Sequence, residues 1–288
     1  MSRMENDSKK LNRRARVNRL VPHAAVGPLF RQPGLVGMLL SAHLLSAAVA
    51  ETGTNPAPSV DLRPVFQKWG LPLRQQGGRG TCSVFTMTGA LEYALASRQH
   101  SGTVLSVEFL NWASNQATPK LTDGGFFSDL WKGFEKYGIC PEASLPYQSN
   151  FNPSLHLEPG VLRRAKSVAA ARLRLHWIKP WNVVTGLTET QFLEIKRTLS
   201  SGWPVCGGFR WPKHEHWDQA VLAMVPPAEV FDGHSVLLVG FKDSPAEPGG
   251  GVYLIRNSGG GAPDGALPCE YVRAYMNDAA WVQPAPRK

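Results

Sequence analysis

From residue 81 onward the chain shows apolar positions first at helical and later at strand spacing. Phe85, Leu91 and Leu95, with the small Ala90 and Ala94, can pack inward from a helix predicted over residues 81–98. Thr81 can cap that helix, Arg98 suits its C-terminal dipole, and Gly102 follows it. Residues 106–114 give a second, short helix. Residues 128–137 give a third, with Leu130, Trp131, Phe134 and Tyr137 at helical spacing and Gly138 as its stop. Thr188-x-x-Gln191 has the form of a capping box ahead of Phe192, Ile195 and Leu199, and Gly202 closes that helix. The later apolar runs shorten to 204–209, 235–241 and 252–255, separated by Pro/Gly-rich loops, which reads as strands. A helical half followed by a strand-rich half, with no internal repeat, predicts an α+β fold.

The first fifty residues follow another logic. Residues 1–34 are polar and basic without periodicity, and lead into an apolar run over 35–50 that ends in Ala48-Val49-Ala50. This is the layout of a signal peptide with a long basic n-region, cleaved after Ala50, and it predicts an exported, monomeric body. The run is too short, and too interrupted by His43, for stable membrane insertion. Residues 51–59 read as a linker, 60–282 as the folded body and 283–288 as a tail.

Charge and composition narrow the class. Of 31 Lys/Arg and 22 Asp/Glu, eight and two lie in residues 1–50, which leaves the rest of the chain at only +3. The formal net charge of +9 is therefore mostly a property of the leader, and no nucleic-acid partner is expected. With 28 Gly and 23 Pro in 288 residues the chain is neither collagenous nor of low complexity, and it is long enough for a sizeable core.

Four cysteines, Cys82, Cys140, Cys206 and Cys269, stand far apart without metal-ligand spacing. Cys82, in QGGRGTCSVF, falls just inside the N-terminus of the first predicted helix, where unpaired N–H groups favour a thiolate. His234 and Asn257 sit in two runs that can form a hairpin around a loop at 242–249. Antiparallel pairing of 241 with 250 then sets 234 opposite 257. An Asn carboxamide there can accept the imidazole N–H, fix the tautomer and aim the other nitrogen at a thiol. Two rival constellations are weaker. Ser258 in a Gly-rich run lies only 24 residues after His234, in a chain whose helical first half does not suit a serine-peptidase double barrel. His214-x-His216 reads equally as a solvated loop, so no metal is expected.

The segments around Cys82, His234 and Asn257 resemble, in order, the active-site segments of the papain-like cysteine peptidases. That resemblance implies a two-lobed fold, with a helical lobe over about 70–160 carrying the Cys, a β-barrel-like lobe over about 161–282 carrying the His and Asn, and a cleft between them. It makes Cys82 the nucleophile, His234 the general base and acid, Asn257 its orienter and Gln76 an oxyanion donor whose loss costs about 10²–10³ in turnover. Asp123-Gly124-Gly125 is similar to the family's substrate-binding loop. Phe126 and Phe127 then wall an apolar subsite for the second residue before the scissile bond, to which Ser235 adds no charge. The implied partner is a peptide or protein, and no cofactor is called for. The chain departs from the family at Ser83, where a Trp is usual, and at Arg79, where a disulfide Cys is common. At Gly259 it lacks the aromatic that shields the His–Asn bond, and the span from 50 to 60 is too short for an inhibitory propeptide. These departures keep open a catalytically weak peptide-binding relative and a thiol-dependent acyl transferase.

Overall fold

The computed structural model describes residues 58–169 and 172–286. The expected leader over 1–50, residues 51–57 of the linker and the last two residues of the tail lie outside them. Strand β1 (Ser59–Asp61) and helix α1 (Arg63–Lys68) precede α2 (Cys82–Gln99), α3 (Val107–Ala117), α4 (Phe127–Tyr137) and α5 (Pro159–Ala169). Strand β2 (Leu173–Lys179) and α6 (Glu189–Ser200) lead into β3 (Val205–Pro212), β4 (Trp217–Asp218) and β5 (Val221–Leu222). The chain ends with β6 (Val230–Asp243), β7 (Gly251–Arg256), β8 (Ala266–Pro268), α7 (Cys269–Tyr275) and β9 (Met276–Pro284).

The helices expected from periodicity form where the chain can cap them. The Ser106 hydroxyl accepts the Phe109 N–H at the start of α3, and the Thr188/Gln191 box at the start of α6 is made in both directions. Thr81 precedes α2 but makes no side-chain cap; its hydroxyl pairs with Tyr147 Oη at 2.6 Å instead. Helix α2 is buried on nearly every side, because α3 and α4 cover one flank while β3, β6 and β9 cover the other. Its weak amphipathic pattern follows from that position.

The strands form one sheet in the order β2-β9-β3-β6-β7-β8-β5-β4, with β1 alongside β6. The hairpin of β6 and β7 differs from the register expected from sequence. Phe241 pairs with Tyr253 and Lys242 with Val252; beyond a bulge, Leu238 pairs with Ile255 and Leu237 with Arg256. Gly249, Gly250 and Gly251, all at positive φ, close a tight turn in which Ser244 N–H donates to Gly250 O, and this sets Gly251 opposite Asp243. His234 consequently lies past the end of that ladder and pairs with Phe209 of β3. No described helix is long and apolar enough to cross a membrane.

Candidate active site

Cys82 is the first residue of α2. The first intrahelical bonds are made by Val84 and Phe85 to Thr81 O, so the N–H groups of Cys82 and Ser83 precede them. The thiol is 8 % exposed and lies 3.7 Å from Gly233 O, across the cleft on β6. Burial works to raise its pKa, but the hydrogen-bonding contact with His234 and the backbone N–H groups of Ser235 and Ser83 outweigh it and draw it below the ordinary thiol value. His234 responds in the opposite sense. Burial disfavours the imidazolium, yet Cys82, Asn257 and Glu215 together raise the imidazole.

Asn257 follows β7 and is fully buried. Its Oδ1 lies 2.9 Å from His234 Nε2 and also accepts the Gly259 N–H at 3.0 Å, while Nδ2 donates to Gly260 O at 2.8 Å. Because the atom facing Nε2 is an acceptor, the proton belongs on Nε2, which leaves Nδ1 for the thiol. The two residues meet although the strand register predicted for them is displaced. The loop after Arg256, closed by Asn257 N–H donating to Pro263 O, carries the side chain back to the histidine.

The shield missing at Gly259 is supplied from elsewhere. A Cβ at Gly259 would come within 2.9 Å of His234 Cε1, so this backbone approaches the imidazole too closely for a side chain. Trp211 of β3 instead packs its ring on His234 at a centroid distance of 4.4 Å. Its Nε1 donates to one oxygen of Glu215 at 2.9 Å, and Trp217 Nε1 donates to the other at 2.8 Å. The exposure of the His–Asn bond expected from Gly259 is thus corrected, since Asn257 has no solvent contact. His214 and His216 flank Glu215 on the exposed side of this loop.

Gln76 is held rather than free. Its Nε2 donates to Arg79 O at 2.8 Å, and its Oε1 accepts from Ser258 Oγ at 2.9 Å. Ser258 thereby joins the Gln76 segment to the Asn257 segment.

The cleft cavity, about 370 Å³, is lined by Cys82, His234 and Ser235 together with Gly124, Gly125, Phe126 and Phe127. Gly124 has φ +73, and a Cβ there would overlap Gly80 O; Gly125 N–H donates to Ser83 Oγ at 3.2 Å. Arg79 is buried and bridges Glu108 at 2.5 Å and Asp123 at 2.6 Å, which fixes the residue immediately before Gly124. Phe127 is buried, whereas Phe126 is exposed and meets the Trp181 ring at 4.9 Å. Trp181, Gly208, Asn277 and Asp278 also line the cavity and were not singled out in the sequence. They lie in the β2–α6 connection, in β3 and in β9, and nothing in their local pattern sets them apart.

Residues 57–262 match the profile of the papain family cysteine proteases. No curated protein sequence matches the chain. In fold it is similar to xylellain, a cysteine protease from Xylella fastidiosa, at TM-score 0.62 and 20 % identity over 80 % of this chain and 87 % of that one. It is also similar to the ragweed pollen cysteine protease Amb a 11 in its proform, at TM-score 0.60 and 20 % identity, covering 82 % and 69 % of the two chains. Procathepsin L 3 of Tenebrio molitor larval midgut gives TM-score 0.55 and 18 % identity over 81 % and 71 %. The chain belongs to the papain family of cysteine proteases.

Proposed function

We propose that this protein hydrolyses peptide bonds through an acyl-enzyme on Cys82. The thiolate adds to the substrate carbonyl carbon, and the oxyanion is met by the Cys82 backbone N–H and the Gln76 carboxamide. His234, as the imidazolium, then protonates the departing amine. The neutral imidazole afterwards takes a proton from water as that water attacks the thioester, and the thiolate is regenerated. Asn257 keeps the proton of Nε2 in place throughout.

The observation that carries this reading is the constellation in the cleft, with Cys82 at the N-terminus of α2 and His234 held through Nε2 by a fully buried Asn257 at 2.9 Å, and the thiol is drawn down and the imidazole up accordingly. A structural cysteine in an apolar core would shift the other way, as Cys140, Cys206 and Cys269 do. Quenched fluorescent peptides test it: cleavage by the wild type that disappears in Cys82→Ala is expected. Absence of cleavage alongside intact alkylation of Cys82 would favour the peptide-binding alternative. We also propose export, on the pattern over 35–50; the mature protein should begin near Glu51 by N-terminal sequencing.

A further inference from the structure

Asp278, the third residue of β9, stands opposite Gly208 of β3, and both residues line the cleft cavity. Asp278 is 4 % exposed, in a cavity whose apolar wall is Phe126, Phe127, Trp181 and Phe209 and whose polar lining includes Lys120, Thr122, Asp123 and Asn277. Gly208 is what admits it, because a Cβ there would overlap a carboxylate oxygen. Among the described residues no cation pairs with this carboxylate. Lys179 of β2 acts on it at a distance, but the ammonium is committed to the carbonyl oxygens of Val184, Met276 and Asn277 at 2.9, 3.0 and 2.9 Å. Among the described residues the Gly208 N–H is the donor that lowers the carboxyl, which leaves acceptor capacity for a ligand.

We propose that this pocket receives a cationic side chain of the substrate, arginine or lysine, with Asp278 as its counter-ion. The inference rests on the peptidase reading of the cleft and names its substrate class. It replaces the purely apolar subsite expected from Phe126 and Phe127. Aromatic walls do not oppose it, since their faces stack on a guanidinium and their low polarity strengthens the charge-assisted bond.

Burial pushes the Asp278 carboxyl up to about 7, against the lowering effects of Lys179 and the Gly208 N–H. The sign follows directly: the acid is neutral below that value and charged above it, so preference for a cation grows as pH rises through neutrality. The other ionisable groups around it are accounted for. Cys206 of β3 is held as a thiol by burial. Across the cavity, Asp123 is bound to Arg79, and Lys120 at the rim pairs with Asp129 at 3.4 Å. Cys82 and His234 titrate as well, but their effect cancels when two substrates are compared on one enzyme.

The test uses two acyl-dipeptidyl coumarins that differ only at the second residue before the scissile bond, arginine in one and its neutral isostere citrulline in the other. The ratio of their kcat/KM values should be about tenfold or more at pH 8 and fall severalfold at pH 5.5, and in Asp278→Asn it should be near one at both. A wild-type ratio of one or less at pH 8, or a high ratio that survives Asp278→Asn, would overturn the proposal. Should that variant not fold, the wild-type pH series decides alone. If neither substrate is cleaved, the peptidase reading fails separately, and the pocket is read from binding of the corresponding N-acyl peptides to Cys82→Ala. Tighter binding of the arginine peptide upholds the assignment, and equal affinities sink it.

Discussion

Replacing Asn257 by alanine removes three hydrogen bonds, of which one bears on the chemistry. That bond, from His234 Nε2 to Oδ1 at 2.9 Å, serves an imidazole that carries charge in the reactive state. Hydrogen bonds to charged groups contribute about 1.5–3 kcal/mol, and the upper part of the range requires that water not replace them. With Asn257 fully buried and the tilted Trp211 ring packed against the histidine, the whole contribution applies here. The expected loss in kcat/KM is therefore about 10- to 150-fold. The other two bonds, to Gly259 N–H and Gly260 O, hold the loop and affect stability without moving a pH profile. The pH dependence of kcat/KM separates the two roles. Asn257 helps to raise the imidazole, so its removal should lower the basic limb of the bell and weaken the imidazolium that depresses the thiol, raising the acidic limb. The bell should narrow from both sides. A loss below about threefold, with an unshifted profile in folded protein, would refute the claim that this bond is dry and orienting.

Three further outcomes follow from the same contacts. Iodoacetamide should label only Cys82 in native protein, since burial lifts Cys140 and Cys269 to about 11 and Cys206 higher still, and four sites after unfolding without reductant; fewer than two on unfolding would mean a bridged Cys82. Arg79→Met leaves Glu108 and Asp123 without their shared cation, and urea denaturation should show a loss of about 3–5 kcal/mol; a change below about 1 kcal/mol would show that water already compensates them. Trp211→Ala should reduce kcat/KM by about tenfold with the same narrowing of the pH profile, whereas Trp211→Phe should retain most activity, and equal loss in both would place the effect in the Glu215 hydrogen bond.

The helices were legible because each carries its own signal. The capping box before α6, the serine ahead of α3 and the glycine after α4 act within a turn of the residues they terminate. α5, β2, α7 and β9 were not singled out. β9 is buried on both faces, between β2 and β3, so it lacks the alternation that marks a half-exposed strand. The register of β6 and β7 depended on how three glycines close the preceding turn and on a bulge near Gly240, where a Cβ would overlap Val60 O; neither is encoded in the apolar pattern. The structure nonetheless brings Cys82, His234 and Asn257 together, and they could be singled out because the chemistry sought constrains residue type more tightly than strand pairing constrains position. Asp278 was not, since an isolated acid near the end of a chain becomes informative only once Gly208 is seen beneath it.

Three of the four departures from the family pattern, those at Ser83, Arg79 and Gly259, are answered by contacts within the fold. Ser83 cannot cover the cleft as an indole would, but its hydroxyl accepts the Gly125 N–H and so ties the loop to α2 directly. Arg79 cannot form a disulfide, yet it reaches the residue before Gly124 through Asp123 and anchors the other end in Glu108 on α3. At Gly259 the backbone itself occupies the space beside the histidine, and the aromatic cover comes from β3. In each case the requirement is physical, whether a fixed loop, a buried linkage or a dry hydrogen bond, and several residue types can meet it from different directions. The thiol, by contrast, has no such substitute if the chain acts as proposed, because it would supply the atom that bonds to the substrate. The proposed reaction thus constrains the identities of Cys82, His234 and Asn257 more tightly than those of the residues that support them.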